Sequence, residues 1–345
     1  MNEEINNTKK IEELGEFGLI EHLTQNIKPV NKETIYGIGD DAAVIRCKED
    51  MVITSDVLTE GVHFNLMYTP LKHLGYKAVI VNLSDIYAMN ATPCHILVSI
   101  AISGKFSVQA LETLYEGIKL ACKTYNVDLI GGDTTSSMTG LTISITAVGK
   151  AEKDKIVYRN GAKINDLICV TGNLGGAYMG LQLLEREKKI FESVDGVQPN
   201  LTGYEYILER QLKPEARKNI IEKLKENNII PGSMIDISDG LSSELFHICT
   251  QSKTGCSIYE DKLPVHPDTV QMAEEMNIEP LICVLNGGED YELLFTVPLD
   301  KFNEINNIPD ISVIGHITEK DQGINIVTKD NRSIPLKARG WDSFN

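Results

Sequence analysis

The sequence predicts a mixed α/β protein of two domains. Strand-like and helix-like segments alternate along 345 residues, a length past the usual single-domain size. A charged, turn-like stretch, Lys150-Ala151-Glu152-Lys153-Asp154-Lys155, interrupts the alternation near the middle. The expected domains are therefore residues 1–150 and 151–345.

Each element has its own signal. Pro70 to Ala91 reads as a helix, with Pro70 and Leu71 at its start and Thr92-Pro93 stopping it. Cys94 to Ile102 is a continuous apolar run, expected as a buried strand. Residues 107–125 form a second amphipathic helix, with Leu111, Leu114, Ile118 and Ala121 or Cys122 on one face. Leu141 to Ala147 alternates apolar and polar side chains, as a strand with one wet face should. Beyond the charged stretch, Asp166 to Thr171 reads as a strand and Gly175 to Lys188 as a helix. Pro214 to Glu226 reads as another helix, opened by proline in its first turn. Met234 to Ile237 is an expected strand, Leu241 to Gln251 a helix, and Tyr291 to Val297 and Ser312 to Ile317 strands.

Composition narrows the function. With 33 Lys and Arg against 49 Asp and Glu, the formal charge of -16 would repel a phosphate backbone, so nucleic acid is not an expected partner. Seven cysteines are scattered singly without a CxxC pair, which indicates neither a disulfide framework nor a zinc site. A reducing cytoplasm is the expected compartment. The stretch MNEEINNTKKIEELGEF is polar and acidic, unlike a signal peptide, and the longest apolar run is too short for a bilayer, so no membrane is expected either.

What stands out is a series of aspartates beside glycines or at strand ends: Gly39-Asp40-Asp41, Thr54-Ser55-Asp56, Asn82-Leu83-Ser84-Asp85, Gly131-Gly132-Asp133 and Asp236-Ile237-Ser238-Asp239-Gly240. Asp and Gly favour turns, so one such pair says little. Asp85 is the most informative, because it falls inside a helix where aspartate is a poor former. If its face packs toward the core, the carboxylate needs a cation or a donor; if not, it faces water. Aspartates with hydroxyl neighbours make up the oxygen donor set of Mg²⁺, whereas clustered His and Cys for zinc or iron are missing. No GxxxxGK[ST] P-loop is present, and Gly37-Ile38-Gly39-Asp40 does not complete a dinucleotide fingerprint. Thr171-Gly172-Asn173-Leu174-Gly175-Gly176 lies between a strand and a helix, where its amides could hold an anion or simply make a turn.

Read together, the motifs resemble the thiamine-monophosphate kinase family, in the superfamily of aminoimidazole ribonucleotide synthetase, selenophosphate synthetase and the hydrogenase-maturation dehydratase. The matching segments run nearly end to end: Gly15-Glu16-Phe17, GIGDDAAV at 37–44, TSDVLTEGVHF at 54–64, GYKAVIVNLSDIYAMNATP at 75–93 and LIGGDTT at 129–135. They continue with YRNGAK at 158–163, IDISDGLSSEL at 235–245, GGEDYELLF at 287–295 and RGWDSF at 339–344. The resemblance implies a two-domain synthetase-like architecture with its active site in the cleft between domains, a homodimer formed through the N-terminal half, and transfer of phosphate from ATP to thiamine monophosphate with several Mg²⁺ ions. It implies magnesium contacts at Asp40, Thr54, Ser55, Asp56, Asp85, Asp133, Asp236 and Asp239. It places the nucleotide at Gly132, Asp133, Arg159, Ser238 and Tyr115, and the thiamine moiety at His63, Glu289 and Trp341.

Departures from the family pattern are few: Asn165 for a usual glycine, Glu215 for a frequent proline, and Asn286 before Gly287-Gly288. Two alternatives are weighed against this reading. Selenophosphate synthetase would carry a reactive cysteine in its N-terminal segment, which residues 1–36 lack, and aminoimidazole ribonucleotide synthetase lacks the TEGVHF and GGEDYEL combination. A non-catalytic nucleotide-binding homologue is disfavoured by the intact set of aspartates.

Overall fold

The computed structural model describes residues 11–38, 42–193 and 198–337. It divides into two compact units, Met1–Ile86 with Thr92–Ala151 and Tyr87–Ala91 with Glu152–Asn345. Among the described residues no helix is long and apolar enough to cross a membrane.

The first unit runs α1 (Ile11–Thr24), β1 (Thr34–Tyr36), β2 (Val44–Ile45), β3 (Asp50–Thr59), α2 (Leu71–Ala88), β4 (Thr92–Ile102), α3 (Val108–Tyr125), β5 (Asp128–Ser136) and β6 (Leu141–Ala151). Its main sheet has the order β3-β6-β4-β5, antiparallel except for the β4–β5 pair, whose crossover is α3. Alternation along β6 and β4 sends Ile143, Ile145, Ala147, Ile96, Val98 and Ile100 to one buried face. Leu74 to Ser84 of α2 is buried on every side, as a helix that is apolar nearly all round should be. Helix α3 is amphipathic, capped by Ser107, whose side chain accepts from the Ala110 amide, and closed by Asn126 in the left-handed conformation.

The second unit runs β7 (Leu167–Thr171), α4 (Gly176–Ser193), α5 (Glu205–Leu212), α6 (Lys218–Glu226), β8 (Ser233–Ile237), α7 (Leu241–Ser252), β9 (Gly255–Tyr259), α8 (Pro267–Glu275), α9 (Pro280–Asn286), β10 (Glu292–Val297), α10 (Phe302–Asn306), β11 (Ile311–Thr318), β12 (Ile324–Val327) and β13 (Ser333–Pro335). Seven of these strands form one sheet, β13-β12-β9-β11-β7-β10-β8. Leu241, Leu245 and Ile248 of α7 join Ile168, Val170, Ile235, Ile237 and Leu294 in its core. A satellite core of Met179, Leu183, Ile207, Met272 and Cys283 ties α4 to α5, α8 and α9.

Several expected boundaries move. Strand β6 runs on to Ala151, so Lys150 and Ala151 of the charged stretch are strand and not turn. Helix α2 ends at Ala88, and Thr92-Pro93 open strand β4 instead of merely stopping the helix. Asn90, with φ of 55°, makes the turn. Helix α6 begins at Lys218, four residues after Pro214, with Arg217 non-helical at its N-cap and its side chain paired with buried Glu292. Helix α4 runs on past Lys188 to Ser193. Asn165 has φ of 68°, a left-handed position that asparagine tolerates better than most residues with a side chain.

Candidate active site

Strand β3 carries Thr54-Ser55-Asp56, and its period of two separates them. Thr54 and Asp56 face α2: Thr54 Oγ1 donates to Asp85 Oδ2 at 2.5 Å, and the Asp56 amide donates to Asn82 Oδ1 at 3.1 Å. Asp85 therefore points at the strand, half-buried, which resolves the choice its helix position left open. Burial pushes the Asp56 carboxyl up to about 6, with the like charge of Asp85 adding to the effect. Ser55 lies on the opposite, open face, donating to the Ile145 carbonyl at 3.2 Å and accepting from Thr146 Oγ1 at 3.1 Å.

Asp133 stands on that open face too, in one cross-strand row with Val57, Ser144 and Ser99. Three strand spacings separate β5 from β3, about 14 Å. Gly132 beside it has φ of 154°, and a Cβ there would lie 1.8 Å from the Val98 carbonyl oxygen, so strand β5 closes only on glycine. Asp133 is exposed and accepts from the Thr134 amide at 2.9 Å. His63 sits in the turn after β3, its Nδ1 accepting from the Thr59 amide at 3.1 Å. Tyr115 lies on the buried face of α3, where burial pushes its hydroxyl up to about 12.

In the second unit the aspartate motif spans the end of β8 and the turn into α7. Asp236 is buried, while Ser238 and Asp239 are half-buried. Burial raises the Asp239 carboxyl above its usual range, and His247 and exposed Arg159 lie near enough to oppose the shift. The 287–291 segment is laced to this turn: the Glu289 amide donates to the Ser238 carbonyl at 2.7 Å and the Tyr291 amide to the Ile237 carbonyl at 2.9 Å. Glu289 and Tyr291 hold φ of 64° and 51°, a conformation costing about 1 kcal/mol or more each for residues with a side chain. Gln211 Nε2 donates to Glu289 Oε2 at 2.8 Å and fixes that side chain.

The glycine-rich turn after β7 already holds an anion of the protein's own. Asp290 accepts from the Gly175 amide at 2.6 Å and the Ala177 amide at 3.3 Å, so the start of α4 is filled by a buried carboxylate. Glu292 beside it accepts from Thr171 Oγ1 at 2.6 Å and pairs with Arg210 at 2.9 Å and with Arg217. The turn is thus structural. Gln211 and Glu244 touch expected site residues without any signal at the level of composition or spacing, although Glu244 lies inside a matched motif; Asn82 stands three residues before Asp85 in the quoted aspartate motif.

The structure brings Thr54, Asp56 and Asp85 together, and Ser238, Asp239, Arg159 and Glu289 in the vicinity of one another. Asp40 and Trp341 lie outside the described residues. Among the described residues no three His, Cys, Asp or Glu side chains converge as a metal group on their own. The oxygen donors at Thr54, Asp56 and Asp85 nonetheless suit an ion that takes few protein ligands and draws the rest from water and phosphate.

Residues 39–151 match the family AIR synthase related protein, N-terminal domain. A thiamine-monophosphate kinase of Bacillus subtilis (strain 168) is 33% identical over 340 residues, spanning 96% of this chain and 100% of its own length. The solved thiamine-monophosphate kinase from Stenotrophomonas maltophilia K279a superposes with a TM-score of 0.76 at 29% identity, over 91% of this chain and 95% of that one. AaThiL complexed with AMPPCP and TMP gives 0.73 at 32% identity, over 97% and 99%. The fold is that of an AIR synthase-related mixed α/β protein. Within that class the chain belongs to the thiamine-monophosphate kinase family.

Proposed function

We infer that the chain transfers the γ-phosphoryl group of ATP to the phosphate of thiamine monophosphate, giving thiamine diphosphate and ADP. The observation that carries this is kinship at about one residue in three over nearly the whole length with kinases of that name, one of them solved with AMPPCP and TMP. Thr54, Asp56 and Asp85, with Asp40, Ser55, Asp133, Asp236 and Asp239, are the magnesium-holding residues of this reading. Magnesium held by these residues would supply positive charge against that building on the transferring group.

Arg159, Gly132, Asp133, Ser238 and Tyr115 serve the nucleotide, and His63, Glu289 and Trp341 the thiamine end. Arg159 is exposed and free to swing onto phosphate, and its planar fork of donors fits one. Glu289, held by Gln211, offers a fixed carboxylate to a cationic thiazolium. The two phosphates react directly and in line, so the protein's task is to position them and exclude water. The active form is a homodimer, supported by Ile53 and Val57, 65% and 49% exposed on β3, the outer strand of the first unit's sheet. The cytoplasm, where ATP is abundant, is the compartment this reading assigns.

The test is to follow thiamine diphosphate formation from thiamine monophosphate and ATP in Asp56→Asn and Asp85→Asn. Each should lose about 100-fold or more in turnover while melting within a few degrees of the parent. Parental rates in both variants at saturating ATP and magnesium would remove the metal assignment.

A further inference from the structure

Helix α7 opens without a capping side chain, since Gly240 occupies its N-cap position. An acidic residue in the first turn normally serves that helix's own amides or its dipole. Glu244 does something different. Its side chain is 1% exposed and folds back past the helix start, where Oε1 accepts from the Asp239 amide at 2.9 Å and the Ser238 amide at 3.3 Å. Both amides precede the helix. Among the described residues its other oxygen, Oε2, is buried without a hydrogen-bond partner.

Burying a carboxyl group with one oxygen unsatisfied works against folding, and an apolar residue would be cheaper at that position for packing alone. What the group does supply is two donor–acceptor bonds that draw the Ser238 and Asp239 amides inward. With the amides fixed, the side chains of Ser238 and Asp239 are left half-exposed on the other side of the turn. The same turn is gripped from a second direction by the Glu289 and Tyr291 amides, which take the Ser238 and Ile237 carbonyls. Its backbone is therefore held at both its N–H and its C=O groups.

We propose that Glu244 is a positioning residue for the nucleotide end of the site, clamping the Ser238–Asp239 turn from inside so that both side chains point at the ATP phosphates and their metal. The proposal rests on the reading that Ser238 and Asp239 serve the nucleotide. A displacement near 1 Å at such a turn costs up to about 100-fold. The thiamine end meets this turn only through the Glu289 backbone amide, and the Glu289 side chain is held separately by Gln211, so it is expected to shift less.

The experiment compares Glu244→Ala, Glu244→Asp, Glu244→Gln and Asp239→Asn in steady-state kinetics with ATP and thiamine monophosphate varied separately, alongside thermal melting. Glu244→Asp keeps the carboxyl group one methylene short of the amides, and Glu244→Gln keeps an acceptor oxygen at the right reach. Alanine and aspartate should raise KM for ATP about tenfold or more while KM for thiamine monophosphate stays within about twofold, and glutamine should restore most of the loss. If the alanine variant does not fold, the aspartate and glutamine pair decides the matter. Parental KM for ATP in Glu244→Asp with an impaired Asp239→Asn would overturn the clamp alone. An equal rise in both KM values, or no rescue by glutamine, would reduce Glu244 to a structural role. Unchanged turnover in Asp239→Asn would overturn the underlying site reading and the proposal with it.

Discussion

Glu292 and Asp290 are buried completely beside Arg210 and Arg217, whose side chains are 11% and 18% exposed. Such a group contributes little net stability when intact, but removing one partner strands a charge away from water. Arg217→Ala should therefore destabilise the protein by about 3–5 kcal/mol, read as a lowered midpoint in urea, far more than loss of the exposed Lys72–Glu116 pair. A loss below about 1 kcal/mol would mean that water reaches Glu292. At this scale the sequence was legible only in part. The aspartates announced themselves by their glycine and hydroxyl neighbours, and Asp85 by its poor fit to a helix. What strand geometry does to Thr54-Ser55-Asp56, sending Ser55 away from its neighbours, follows from a period of two once the strand is located. The Glu244 clamp and the Gln211–Glu289 bond join residues by tertiary approach, and no local pattern marks them.

Helices α2 and α3 meet at a pair of glycines. A Cβ on Gly75 would lie 2.0 Å from the Leu114 carbonyl oxygen, and one on Gly117 would lie 1.9 Å from that of Lys72. The two backbones touch, and this contact sets how α2, with Asn82 and Asp85, lies against β3. Gly117→Ala should cost about 1–3 kcal/mol of overpacking and lower turnover as well, because a shifted α2 carries Asp85 with it. Calorimetry with a parallel rate measurement checks this; a stable, fully active variant would show that the helices can part without disturbing the site. Element-level reading succeeded where periodicity was strong, as in α3 and β6, and failed where tertiary ties override local preference. Pro214 reads as a helix start, yet α6 begins only after Arg217, whose side chain is committed to Glu292. Pro93 looked like a stop, yet it lies within a strand that begins directly after the Asn90 turn.

Over the whole molecule, an acidic surface coexists with an exposed apolar strip on β3, which a second copy would cover. Ile53→Asp should convert a homodimer into a monomer by light scattering, without unfolding the chain; a parent protein already monomeric at micromolar concentration would contradict the dimer. The reaction itself is the claim on which every residue assignment depends. ATP labelled in its γ-phosphate, incubated with magnesium and the protein and then with thiamine monophosphate, tests it most directly. Direct transfer predicts one label in each thiamine diphosphate formed and none on the denatured protein before the acceptor is added. Unlabelled product, no thiamine diphosphate at all, or stoichiometric label on the protein that is chased into product would contradict the account.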